Sequence, residues 1–218
     1  MCIIAVSKIG VRQPSMQQLK QMFDNNPHGA GYMYARDGKV AIHKGFMTWE
    51  DFRRAVLAEN FTAKDPVVYH FRISTQAGIT PEMTHPFPLT SDIKYCEKLD
   101  ITACSVGVAH NGVIRMTSNA KETRFSDTAL FIAQYLTKLV RRKQDVTDPA
   151  VLTMIDHLTN SRWALLTENG EIGTVGTFID EHGLLFSNSS YKPYKPAKTV
   201  VKFSWDDYYN GAYGYPVK

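Results

Sequence analysis

Four places along this chain combine residue types that could do chemistry. Cys2 is the second residue, and excision of Met1 would leave a thiol and a free α-amine on one residue. Such a residue holds both halves of a nucleophile–base pair: the thiolate attacks, and the amine, with a reference pKa of about 8, moves the proton. Asn111 and Gly112, in "AHNGVI", set a side-chain amide beside an unhindered backbone N–H, two donors that could hold a developing oxyanion. Arg72, in "HFRIST" with Ser74 and Thr75 just beyond it, could clamp a carboxylate with its planar fork. Asp127, following "FS", could take a substrate ammonium. Together these groups describe acyl transfer on a zwitterionic substrate. Each also has a plain structural reading. Cys2 could be a buried strand residue, Asn-Gly a turn, Arg72 a sheet-edge arginine and Asp127 a residue stabilising its helix start.

Strands and helix starts must position these residues. "CIIAVSK" is a β-branched run fit for a strand that begins at the cysteine. Pro14 to Asn25 reads as a helix with proline near its start. "GAGYMYARDGKVAIHKG" holds two strand-like runs around Asp37-Gly38, a hairpin signal. "TWEDFRRAVLAEN" predicts a helix capped by Thr48, with Phe52, Val56 and Leu57 at helical spacing. "PVVYHFRIST" and "SVGVAHNGVIR" predict the strands that deliver Arg72 and the Asn111–Gly112 pair. "SDTALFIAQYLTKLVRRK" is the longest helix candidate, with Ser126 as N-cap and Asp127 in its first turn. Residues 162–188 alternate through three short strands, with turns at Asn169-Gly170 and His182-Gly183. Strands at both ends with helices between them imply an α+β domain of packed sheets and helical layers. The Pro-punctuated loop "GITPEMTHPFPL" is a candidate lid.

Composition narrows the function classes. The 218 residues make one large domain with no linker long enough to divide it. Charged residues are 21% of the chain and the net charge of +4 is thinly spread, so no basic arm or stripe offers itself to nucleic acid. No apolar run approaches the roughly 20 residues that span a bilayer, and no secretory signal opens the chain. A cytoplasmic protein is expected, with neither nucleic acid nor membrane as partner. Cys2, Cys96 and Cys104 form neither an even disulfide set nor a metal knuckle. His28, His85 and His110 lack metal-ligand spacing, so no metal is expected, and His85 reads as a loop-packing residue. Residues 199–218 depart in composition, with six aromatics from Phe203 to Tyr215 in a Gly-rich tail. That tail is either a docking strip for a partner or a loosely ordered end, and residues 1–198 are the expected domain.

The order Cys2, "GAG" at Gly29 to Gly31, "HFRIST", "HNG" and "SDT" resembles the class II glutamine amidotransferase domain, one of the N-terminal nucleophile hydrolases. The resemblance runs from Cys2 to Asn188 and implies a four-layer αββα sandwich of two antiparallel sheets. It further implies attack of Cys2 on the side-chain amide of glutamine, release of ammonia, and hydrolysis of a γ-glutamyl thioester to glutamate. Carried onto this chain, Cys2 is nucleophile and, through its amine, base, and Asn111 with Gly112 forms the oxyanion hole. Arg72, Ile73 and Thr75 face the substrate, Arg72 and Thr75 on its α-carboxylate, and Asp127 with Gly112 holds its α-ammonium. No cofactor is implied. Ile73 stands where many members carry an aromatic, and Gln76 where they carry histidine. "NNPHGAG" lacks their usual arginine-glycine pair. Nothing here provides an acceptor site, so the resemblance leaves three roles: a subunit supplying ammonia to a separate synthase, a stand-alone γ-glutamyl amide hydrolase, or a non-catalytic scaffold.

Overall fold

The computed structural model describes residues 2–73, 78–118 and 124–193. Ser74, Thr75, Gln76 and the aromatic tail, with the expected boundary after residue 198, lie outside the described residues. In chain order the strands are β1 (Ile3–Ser7), β2 (Ala30–Arg36), β3 (Lys39–Phe46), β4 (Val67–Phe71), β5 (Phe87–Pro88), β6 (Asp100–Cys104), β7 (Val106–Asn111), β8 (Arg162–Thr167), β9 (Ile172–Val175), β10 (Ile179–Glu181) and β11 (Leu184–Phe186). The helices are α1 (Met16–Asn25), α2 (Trp49–Glu59), α3 (Arg115–Ser118), α4 (Asp127–Phe131), α5 (Thr137–Leu139) and α6 (Pro149–Thr159). The fold is mixed α+β, with two antiparallel sheets. The larger runs β10-β11-β1-β4-β2-β3-β6 and the smaller β5-β7-β8-β9.

Every residue of β1 is buried because both of its faces are covered. Ile4 and Val6 pack with Met33, Val68, Ala109 and Leu166, residues contributed by both sheets. Ile3 and Ala5, of opposite parity, pack with Leu19 and Met22 of α1 and Phe52 of α2. On β7 and β8, Val108, Trp163 and Leu165 pack with Phe131 of α4 and Ile155 of α6. A strand covered on both faces reads as a continuous apolar run rather than as an alternation. Each fully buried aliphatic or aromatic side chain there contributes roughly 1.5–3 kcal/mol. The β2–β3 hairpin turns at Asp37 and Gly38, with φ of 52° and 70°, the left-handed pair a type I′ turn requires.

Several expectations are corrected. The long helix from Ser126 is interrupted after Phe131 by a π turn, Ile132–Leu136, and stops at Leu139. It stops there because the Asp145 carboxylate accepts the backbone N–H groups of Arg141 and Arg142 and draws "RRK" into a separate turn. Leu57 is 45% exposed, about 100° around the helix from buried Val56. Residues 162–188 make four strands rather than three, and the last two cross to the larger sheet. β6 and α6 add to the expected elements. From Met83 to Phe87 the presumed lid is buried, and β5 pairs with β7, so that stretch is a fixed wall. No helix among the described residues is long and apolar enough to cross a membrane.

Candidate active site

The register of β1 against β4 pairs Ile3 with Phe71, and one step further brings Cys2 beside Arg72 and Ile73. Cys2 Sγ lies 3.4 Å from both the backbone oxygen and the backbone nitrogen of Ile73. The Cys2 carbonyl accepts a hydrogen bond from Asn188 Nδ2 at 2.6 Å. Burial pushes the thiol above its usual range, while the Ile73 N–H and the Arg72 guanidinium pull it back part of the way. At rest the sulfur therefore keeps its proton at neutral pH.

Arg72 is 6% exposed, its Nη1 donating to the Gly78 carbonyl at 3.1 Å. Its backbone N–H donates to Gly29 O and its carbonyl accepts from His28 N, so both backbone groups are held by the "HGAG" stretch. Burial lowers the guanidinium's pKa, and the nearby Cys2 and Asp127 oppose that shift. Gly31 of that stretch sits hard against the wall of the site: a Cβ there would overlap the His85 carbonyl and come within 2.7 Å of Lys44 Cβ.

β7 ends at Asn111, and Gly112 follows it. A Cβ on Gly112 would overlap Ser161 Oγ and stand 2.7 Å from Ser161 Cβ and 3.1 Å from His110 Nε2, so only glycine fits. Asp127 opens α4 behind its N-cap Ser126, whose Oγ accepts from Ala129 N at 3.2 Å. Its carboxylate accepts from Ile114 N at 2.7 Å and Thr128 N at 2.8 Å, tying the loop after Gly112 to the helix start.

Cys2, Arg72, Ile73, Gly112 and Asp127 line one cleft. Asn111 is not on that lining. Residues 110 and 112 share a face and 111 takes the other, as strand geometry requires. Asn111 is 1% exposed, and its Nδ2 donates to Ser187 Oγ at 2.9 Å. Thr75 lies outside the described residues. His85, read above as a loop-packing residue, is buried in the cleft wall together with His110.

Three neutral imidazoles back the cleft. His70 Nε2 lies 3.0 Å from the His110 carbonyl oxygen, which fixes that nitrogen as the protonated one, and His85 Nδ1 lies 3.0 Å from the same oxygen and 3.4 Å from the His110 backbone nitrogen. His110 Nδ1 is 2.8 Å from Thr128 Oγ1. Burial lowers His70 and His110 to about 3, and His85 well below the ordinary histidine value. Beneath the wall, buried Lys44 donates to the carbonyls of Glu82, Thr84 and Cys96 at 2.7, 3.0 and 2.6 Å, with its ammonium 4.0 Å from the Phe87 ring centre. Burial pulls Lys44 down to about 7. Among the described residues, no three His, Cys, Asp or Glu side chains converge as metal ligands would.

Sequence reasoning missed His110, Thr128 and the Ser187–Asn188 pair. Strand alternation from Gly112 would have found His110. No local pattern announces Ser187, whose partners lie in β1 and β7. Compared with known proteins, the chain matches no family model and no curated protein.

Proposed function

We propose that this chain is a glutamine amidotransferase of the N-terminal nucleophile type, releasing ammonia for a separate synthase. One observation carries the reading. Cys2, Arg72, Gly112 and Asp127, drawn from four separate segments, meet around a single cleft. The disposition of the helices supports it too: α1 and α2 pack against the larger sheet and α4 and α6 against the smaller, the layering of an αββα sandwich.

In this reading, removal of Met1 frees the α-amine of Cys2. The thiol attacks the carboxamide carbon of glutamine, and its proton passes through the amine to the departing nitrogen. A C–S bond forms, the C–N bond breaks, and ammonia leaves a γ-glutamyl thioester. Water then hydrolyses the thioester, returning glutamate and the thiol. Gly112 N–H holds the oxyanion, and losing such a donor costs about 100- to 1000-fold in rate. Arg72 and Thr75 hold the α-carboxylate, and Asp127 with Gly112 the α-ammonium.

The test is intact mass spectrometry before and after exposure to 6-diazo-5-oxo-L-norleucine, an electrophilic glutamine analogue. The expected result is a chain lacking Met1 that gains one adduct, with glutamine protecting it and Cys2→Ala abolishing it. A chain that keeps Met1 and gains no adduct would return Cys2 to the role of a buried strand residue.

A further inference from the structure

One face of α2 carries an apolar and basic stripe that the other described residues leave open. Trp49, Arg53 and Leu57 recur every fourth residue along it, with Arg54 beside them. Arg53 is exposed, and Leu57 is 45% exposed. The Trp49 ring meets Phe23 of α1 edge-on at 6.1 Å and lies 5.9 Å from Lys20 Nζ, so α1 borders the stripe. Arg54 is paired with Asp51 at 2.9 Å, whereas Arg53 has no acidic partner among the described residues.

The described chain ends beside this face. Asn25 closes α1, two residues after the Phe23 that touches Trp49, and its Nδ2 donates to the carbonyls of Ser190 and Lys192 at 2.8 and 3.2 Å. Residues 194–218 follow. From Phe203 to Val217 they hold six aromatics, and the only charges there are Asp206 and Asp207. The stretch from Pro193 to Phe203 reaches roughly 30 Å when extended, while Leu57 lies only about 12 Å along the helix from Trp49. An acidic, aromatic segment complements an apolar stripe that carries an unpaired arginine. A segment tethered this closely acts at an effective concentration of about millimolar, so contacts too weak to hold a free partner suffice.

We propose that residues 203–217 are the ligand of this face. Their rings cover Trp49 and Leu57, and Asp206 and Asp207 meet Arg53. The segment is a strap over the α1–α2 layer rather than a strip held out to another protein. This assignment does not depend on the chemistry at Cys2.

Chymotrypsin digestion of the folded full-length chain tests it. Cleavage tracks the population of the released form, so residues 203–217 should be cut at least about tenfold more slowly than a free peptide of that sequence. Leu57→Asp should raise the rate toward that of the peptide. Arg53→Glu should raise it about three- to fivefold, the size expected for exposed charges. Adding Asp206→Lys/Asp207→Lys to Arg53→Glu should restore the protection. Both α2 positions are exposed, so the variants should melt as wild type does, which separates release of the strap from loss of the fold. A wild type cut as fast as the peptide, or protection indifferent to both α2 variants, overturns the proposal. Protection that disappears on dilution assigns the face to a second copy of the chain and overturns it as well.

Discussion

At the scale of single residues, position 112 has little freedom. Two atoms of Ser161 and one of His110 occupy the space a side chain would need. Gly112→Ala should therefore cost about 1–3 kcal/mol of stability, as overpacking does, and lower glutamine hydrolysis sharply because the shift falls on the backbone donor. Adding Ser161→Gly removes the obstruction and should return the melting temperature toward that of wild type. If Gly112→Ala melts and turns over like wild type, the contact is not what fixes the glycine. Asn111, one residue earlier, shows what residue type alone conceals. An Asn-Gly pair can be recognised in the sequence, but not that its amide donates to a serine 76 positions away.

At the scale of elements, β3 holds the cleft wall in place through one side chain. Lys44 donates to the carbonyls of Glu82 and Thr84, just before His85, and to that of Cys96 in the turn that follows β5. Lys44→Met keeps the aliphatic stem but leaves those carbonyls without their donor, at about 1–3 kcal/mol for each group stranded. Chemical denaturation should show a loss of about 3 kcal/mol or more, and an unchanged midpoint would mean that the wall stands without the clamp. Nothing in "AIHKG" marks this lysine as buried, because its partners are backbone atoms of a distant irregular loop. Other elements were legible. The apolar runs of β1, β4 and β7, the Asp-Gly hairpin and the Ser126 cap carry local signals, and they place Cys2, Arg72, Gly112 and Asp127. Helix α6 carries one as well, Asp148 as N-cap with Pro149 at the first position. The π turn after Phe131 was not legible, since a continuous apolar periodicity looks the same through it.

At the scale of the whole molecule, the imidazoles of His70, His85 and His110 join the two sheets, as His70 belongs to β4, His110 to β7 and His85 to the wall between them. All three are neutral when folded, with values pulled to about 3 for two of them and well below 6.5 for the third. An unfolded histidine takes up a proton below about 6.5, which the folded one refuses. This contribution to stability is therefore whole above that pH and is lost as pH falls toward 3. Each histidine adds a slope of about 1.4 kcal/mol per pH unit at most, or about 4 for the three together. Urea midpoints measured from pH 7 down to pH 4 should fall steeply, and a flat profile would show that the imidazoles are not held neutral. The sheet order carries a consequence in time. β1 lies between β4 and β11, so the strand that follows Cys2 has one neighbour early and the other only near residue 186. At about 5–20 residues per second of synthesis, roughly 6–23 s separate the emergence of the two. Through that interval the ribosome holds a chain whose Cys2 strand is paired on one edge and open on the other, and the larger sheet closes as a single late event rather than growing with length.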